Sequence, residues 1–132
     1  MADTLTITKS QSGPVTVLDL AGVLNAQSEH ALIDAAHAAH ANDPHALLID
    51  LTGLEMIMSA GLRALQNIYK FYTPHMEPEE WEAAHPGEVY KSTRLKFTGA
   101  APQVHYVLSL SGFLHNIPIY PTLEEALKSF ES

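Results

Sequence analysis

The sequence predicts a single-domain α/β fold, a mainly parallel or mixed sheet of four to five strands with about four helices, in the order β-β-α-β-α-β-α-β-α. Three observations lead there. At 132 residues, 46% of them hydrophobic and 17% charged, the chain can bury one sizeable core. Period-two apolar segments alternate with segments of helical period, the signature of strands joined through crossover helices. The run ALLIDL, residues 46–51, is almost continuously apolar, as expected of a central strand covered on both faces.

Leu5, Ile7 and Lys9 alternate with Thr4, Thr6 and Thr8, which predicts a first strand, with a turn from Ser10 to Pro14. Val15 to Leu20 reads as a second strand that Ala21, Gly22 and Asn25 bring to an end. Ser28 stands at a helix N-cap position, and Leu32, Ala35, Ala36 and Ala39 share one face of a helix from Glu29 to Ala41, stopped by Asn42, Asp43 and Pro44. After the central strand, Thr52 to Met58 reads as a connection. Leu62, Leu65, Ile68, Tyr69 and Tyr72 then recur at helical spacing.

Residues 73–92 break the pattern with three Pro, the single Trp81 and five of the fifteen acids, and read as an acidic insertion within a domain spanning 1–132. Inside it Pro78, Glu79 and Glu80 suit the first turn of a short helix, Glu77 to Ala84. Trp81 is expected to anchor this segment to the core. Arg94 to Thr98 resumes as a strand. Pro102 opens a helix carrying Val104, Val107, Leu108 and Leu110, closed by Ser111 and Gly112. Ile117 to Tyr120 gives a last short strand, and Thr122 with Glu125 forms a capping box for a final helix.

Composition narrows the function. Seven Lys and Arg against fifteen Asp and Glu give a net charge of -8, which opposes binding to nucleic-acid phosphates and to anionic membranes. The absence of Cys removes disulfides, thiolate metal sites and a Cys nucleophile. The start MADTLTITK lacks a basic region followed by an apolar stretch, and no run of about 18 apolar residues occurs, so a cytoplasmic protein is expected. His37 and His40 have a spacing that can share a metal, but a solvated helix flank, together with His30, is the preferred reading. No metal or cofactor is expected.

The segment LLIDLTGLEMIMSAGLRALQNIYK, residues 47–70, resembles the STAS domains, among them the small free-standing anti-sigma factor antagonists of bacteria. There a buried strand and short loop lead into an Asp-Ser-Ser-Gly-Leu or Asp-Ser-Ala-Gly-Leu motif that opens a helix; here the motif reads Met58-Ser59-Ala60-Gly61-Leu62. VTVLDLAGVLNAQSEHAL and SGFLHNIPIYPTLEEAL match in the same order. The resemblance implies a non-enzymatic regulatory binding module for transcription control and signal transduction. Its partner would be an anti-sigma factor or serine kinase-type protein that phosphorylates the Ser in the position of Ser59. Asn25, Met56, Met58, Ser59, Ala60, Gly61, Leu62 and Arg63 are the expected partner surface, Gly61 letting the chain turn into the helix and Leu62 anchoring it. A homodimer is left open.

Read from position alone, Ser59 is a helix N-cap. A Ser nucleophile is a further reading, but Ile57 replaces the first Gly of a Gly-x-Ser-x-Gly elbow and no Asp follows Ser59. Met58 stands where the family usually has Asp. That supports an alternative in which the chain is a STAS scaffold or accessory subunit, without phosphorylation or associated with a lipid or small ligand.

Overall fold

The computed structural model describes residues 4–41 and 46–131. Five strands form one sheet in the order β1-β2-β3-β4-β5: β1 (Leu5–Ser12), β2 (Val15–Leu24), β3 (Ala46–Ile57), β4 (Leu95–Thr98) and β5 (Ile119–Tyr120). β1 pairs antiparallel with β2, and the other neighbours are parallel, so the sheet is mixed. The expected central strand, β3, lies in the middle.

Among the described residues six helices accompany the sheet: α1 (Glu29–Ala39), α2 (Ser59–Tyr72), α3 (Glu77–Ala84), α4 (Pro102–Ser111), α5 (Phe113–Asn116) and α6 (Leu123–Ser129). On one face Leu18, Leu20, Leu47, Ile49, Leu95 and Phe97 pack with Leu32 of α1, Leu65 and Ile68 of α2, and Val104 and Leu108 of α4. On the other, Val15, Val17 and Leu48 pack against Ala126 of α6. The alternation of β3 side chains between these two cores is what makes ALLIDL apolar at every position but Asp50.

Several boundaries differ from the sequence expectation, each for a physical reason. β1 runs on to Ser12, because the turn is only Gly13 and Pro14, with Gly13 at φ 57. β2 does not end at Gly22, and Thr52 to Ile57 is strand rather than connection. Asp19 pairs with Asp50, Ala21 with Gly53 and Val23 with Met56, so β3 carries two extra residues against β2. These bulges change the burial period along β3 from two to three, through Leu51, Leu54 and Ile57, and hide the strand from a period-two reading.

α5 has four residues, too few to show a period. Leu110 is 70% exposed rather than core. The stop at Asn42 to Pro44 lies outside the described residues; α1 reaches Ala39 with His40 as its C-cap. At the last helix Thr122 Oγ1 accepts from the Glu125 N–H at 3.2 Å, and the Glu125 carboxylate takes the Thr122 hydroxyl instead of a backbone N–H.

α3 begins with Pro78 in its first turn, as expected. Trp81, however, is half-buried and stacks on His85 with ring centroids 4.0 Å apart. The buried anchor of this stretch is Tyr90, whose hydroxyl donates to Glu77, whose N–H donates to Glu82 and whose carbonyl accepts from Asn116. His37 and His40 do not form a solvated flank: His37 Nε2 meets Asn67 Oδ1 at 2.9 Å and its ring stacks on Phe71 at 3.9 Å. His40 sets its edge against Phe71 and Tyr72. Both rings seal the rim between α1 and α2, where Tyr72 donates to the Ala36 carbonyl.

Candidate functional site

Leu24 and Ile57 close β2 and β3 as paired residues, so two parallel neighbours deliver their C-terminal ends side by side. One chain leaves through Asn25–Ser28 into α1, the other through Met58 into α2. The two exits are stitched together, because the Met58 N–H donates to the Leu24 carbonyl at 2.9 Å. Met58 is extended (φ -101, ψ 175), and its own carbonyl accepts the Gly61 N–H at 2.8 Å and the Leu62 N–H at 3.1 Å. Met58 is therefore the N-cap residue, and Ser59 is the first residue of the helix.

Ser59 is exposed at that end, and its backbone N–H belongs to the first turn, which has no intrahelical acceptor. Beneath it Ala60, Gly61, Ala64 and Leu65 are buried. A Cβ built on Gly61 would meet Leu24 Cγ at 2.7 Å and the Leu24 carbonyl oxygen at 3.0 Å. The glycine therefore serves close approach of helix to strand rather than a turn. Leu62 is half-buried at the edge of the core, and the fully buried anchors of this end are Ala64 and Leu65.

The opposite wall is an Asx turn. Asn25 Oδ1 accepts from the N–H groups of Gln27, at 3.0 Å, and Ser28, at 3.2 Å. Ser28 sits at the N-cap position of α1 without a capping side-chain bond; its hydroxyl accepts from the Asn25 N–H at 3.0 Å and donates to the Val23 carbonyl at 3.2 Å. The residue thus ties the loop down to β2.

Between the walls lies an open depression of about 450 Å³ lined by Asn25, Ala26, Gln27, Met58, Ser59, Ala60 and Arg63. Of the residues expected from sequence, Asn25, Met58, Ser59, Ala60 and Arg63 share it. Gly61 and Leu62 lie behind it and Met56 beside it. Met56 and Met58 are 52% and 47% exposed, adaptable apolar side chains at a depression whose lining is itself mainly apolar.

Ala26, Gln27 and Glu29 were not expected. Glu29, in the first turn of α1, takes both Arg63 Nε and a terminal nitrogen at 3.3 Å, bridging α1 to α2 across 34 positions of sequence. No local pattern signals such a pair. Among the described residues no group of three or more His, Asp or Glu is placed to hold a metal ion, and no helix is long and apolar enough to cross a membrane.

Comparison with known proteins bears on this geometry. The model of the STAS domain family matches residues 6–75, which include β2, β3 and both walls of the depression. A crystal structure of an anti-sigma factor antagonist from Mycobacterium paratuberculosis superposes with a TM-score of 0.77 at 26% identity, covering 100% of this chain and 98% of that one. The anti-sigma factor antagonist SpoIIAA in its unphosphorylated form gives 0.68 at 18% identity, covering 96% of each chain. The Bacillus cell fate determinant SpoIIAA in its phosphorylated form gives 0.60 at 16% identity, covering 93% of this chain and 97% of that one. Among curated proteins none matches.

Proposed function

The chain belongs to the STAS domain family, and from that premise we propose that it is a cytoplasmic bacterial anti-sigma factor antagonist, a regulatory module without enzymatic activity of its own. It docks an anti-sigma factor or serine kinase-type protein through the depression between Asn25 and Arg63 and the rim of Met56 and Met58. Ser59 is its phosphorylation switch. The whole chain, residues 1–132, is read as one domain with 73–92 inserted.

The observation that carries this reading is the exposed Ser59 hydroxyl at the first residue of α2, flanked by exposed apolar side chains in an open, mainly apolar depression. A kinase can reach the hydroxyl. A docked partner must bury it, and a phosphate there adds about -1.5 to -2 charges that would have to be desolvated. Differential binding of a few kcal/mol, the usual scale of such coupling, suffices to separate two proteins. The antagonist from Mycobacterium paratuberculosis, similar over the whole chain, supports the same reading.

The test is the intact mass of the protein purified from its own host, with Ser59→Ala as control. A phosphate on the wild type that the variant lacks supports the switch. Its absence across growth and stress conditions overturns it in favour of a second reading, a scaffold that binds its partner constitutively. Met58 is the observation behind that alternative, since it replaces the motif's acidic residue beside Ser59 with an apolar contact.

A further inference from the structure

We propose that Arg63 is the group that receives a phosphate on Ser59, and that it is handed over from Glu29, so that phosphorylation unlocks α1 from α2 at the mouth of the depression. The inference rests on Ser59 as the modified residue and adds how the modification is sensed.

Ser59 and Arg63 are four residues apart on α2 and line the same depression, so they occupy one helix face. Helical side chains lean towards the N-terminus, which aims the Arg63 guanidinium at Ser59 rather than away from it. Its present partner holds it loosely. Both Arg63–Glu29 contacts are 3.3 Å, longer than the 2.7–2.9 Å usual for charge-assisted bonds, and the Arg63 side chain is 64% exposed.

A phosphoserine offers three acceptor oxygens and nearly twice the charge of a carboxylate, and it would be attached to the same helix as the arginine. The exchange therefore replaces a contact between two helices by one within a single helix. Glu29, whose side chain is mostly covered, loses its ion-pair partner, and its place in the first turn of α1, where the helix dipole favours a negative charge, offsets part of that loss. What is lost is the tie between the start of α1 and α2. The Asn25–Ser28 loop runs directly into that start and forms the far wall of the depression, so the wall is released as the phosphate arrives.

The test is a double-mutant cycle on melting temperature, Glu29→Gln with Arg63→Gln, run on protein with serine at 59 and on protein with phosphoserine inserted at 59 during synthesis. With serine, the two positions are expected to couple by about 1–3 °C, the scale of a pair with one exposed partner in a chain of this size. With phosphoserine, that coupling vanishes and Arg63→Gln instead removes a stabilisation that unmodified protein lacks. Persistence of the Glu29–Arg63 coupling in the phosphorylated protein overturns the proposal. So does its disappearance without any new dependence on Arg63, which would mean that the phosphate only repels Glu29. Because the phosphate is installed synthetically, these outcomes are separate from whether the host modifies Ser59.

Discussion

Replacing Gly61 with alanine sets two effects of known size against each other. Helix propensity alone favours Ala by up to about 1 kcal/mol, so in an open helix the change would stabilise. Here the new methyl would sit 2.7 Å from Leu24 Cγ, 3.0 Å from Leu24 Cδ2 and 3.0 Å from the Leu24 carbonyl oxygen. Leu24 is fully buried, and its carbonyl already accepts the Met58 N–H at 2.9 Å. The side chain has no room to swing and the backbone oxygen cannot retreat without breaking that link. Overpacking of this kind costs about 1–3 kcal/mol. The net expectation is a loss of about 1–2 kcal/mol, or on the order of 5 °C in melting temperature. Differential scanning calorimetry with urea unfolding as a check measures it. A Gly61→Ala protein that melts at or above the wild-type temperature would refute the close-approach account and leave propensity as the governing effect.

Tyr72→Phe removes a buried hydroxyl whose 2.7 Å bond to the Ala36 carbonyl joins α2 to α1, and should cost about 1–2 kcal/mol in urea unfolding. Thr122→Ala removes the N-cap bond of α6 and should cost about 1 kcal/mol, measured the same way. Asp19 stands beside Asp50 across parallel strands, and partial burial first and that carboxylate second push its pKa up from 3.8. Asp19→Asn should therefore raise the neutral-pH melting temperature by about 1–2 °C. Its stability should also no longer fall as pH rises from 3.8 through the raised native value, the window in which the folded state holds the extra proton. At the alkaline end Lys96, buried under Phe130 and held by Ser129, has its pKa lowered from 10.5 by desolvation. The unfolded chain then binds the extra proton, and stability rises as pH climbs from the lowered native value towards 10.5. Burial raises the Tyr72 and Tyr90 phenols above 10, so their contribution is lost as pH rises further. The urea midpoint of Lys96→Met should lack the rise; parallel profiles for the two proteins would contradict it.

What the sequence showed of this molecule is what neighbouring residues can encode. The β3 core was visible because Leu47, Leu48, Ile49 and Leu51 all find cover, whichever face they point to. α2 was visible because Leu65, Ile68 and Tyr72 return at helical spacing to one buried face. Ser59 stood out because a helix start has a chemistry of its own. The remainder depends on partners distant in sequence. Nothing local distinguishes His37 and His40 as residues that pack on an aromatic ring until Phe71 is brought to them, and Glu29 gains its meaning from Arg63 on another helix. Gly61 looked like a turn residue, and only Leu24 beneath it shows that the missing side chain makes room for a strand.

The two extra residues in β3 also shape the site itself. Register between β2 and β3 slips after Asp19 and again after Gly22, which is left-handed at φ 108. Despite the slips both strands finish in register, Leu24 against Ile57, well past the end of β4, whose pairing with β3 stops at Asp50. A β3 that ended at Leu51 would leave Met58 and Ser59 with no strand end beneath them. The bulged extension instead carries the start of α2 out beside the Asn25 loop, where the Met58–Leu24 bond fixes it. The segment least like a strand in sequence is therefore the one that brings Ser59, Asn25 and Arg63 around a single depression, and the irregularity that obscured it follows from holding two strand ends level while their lengths differ.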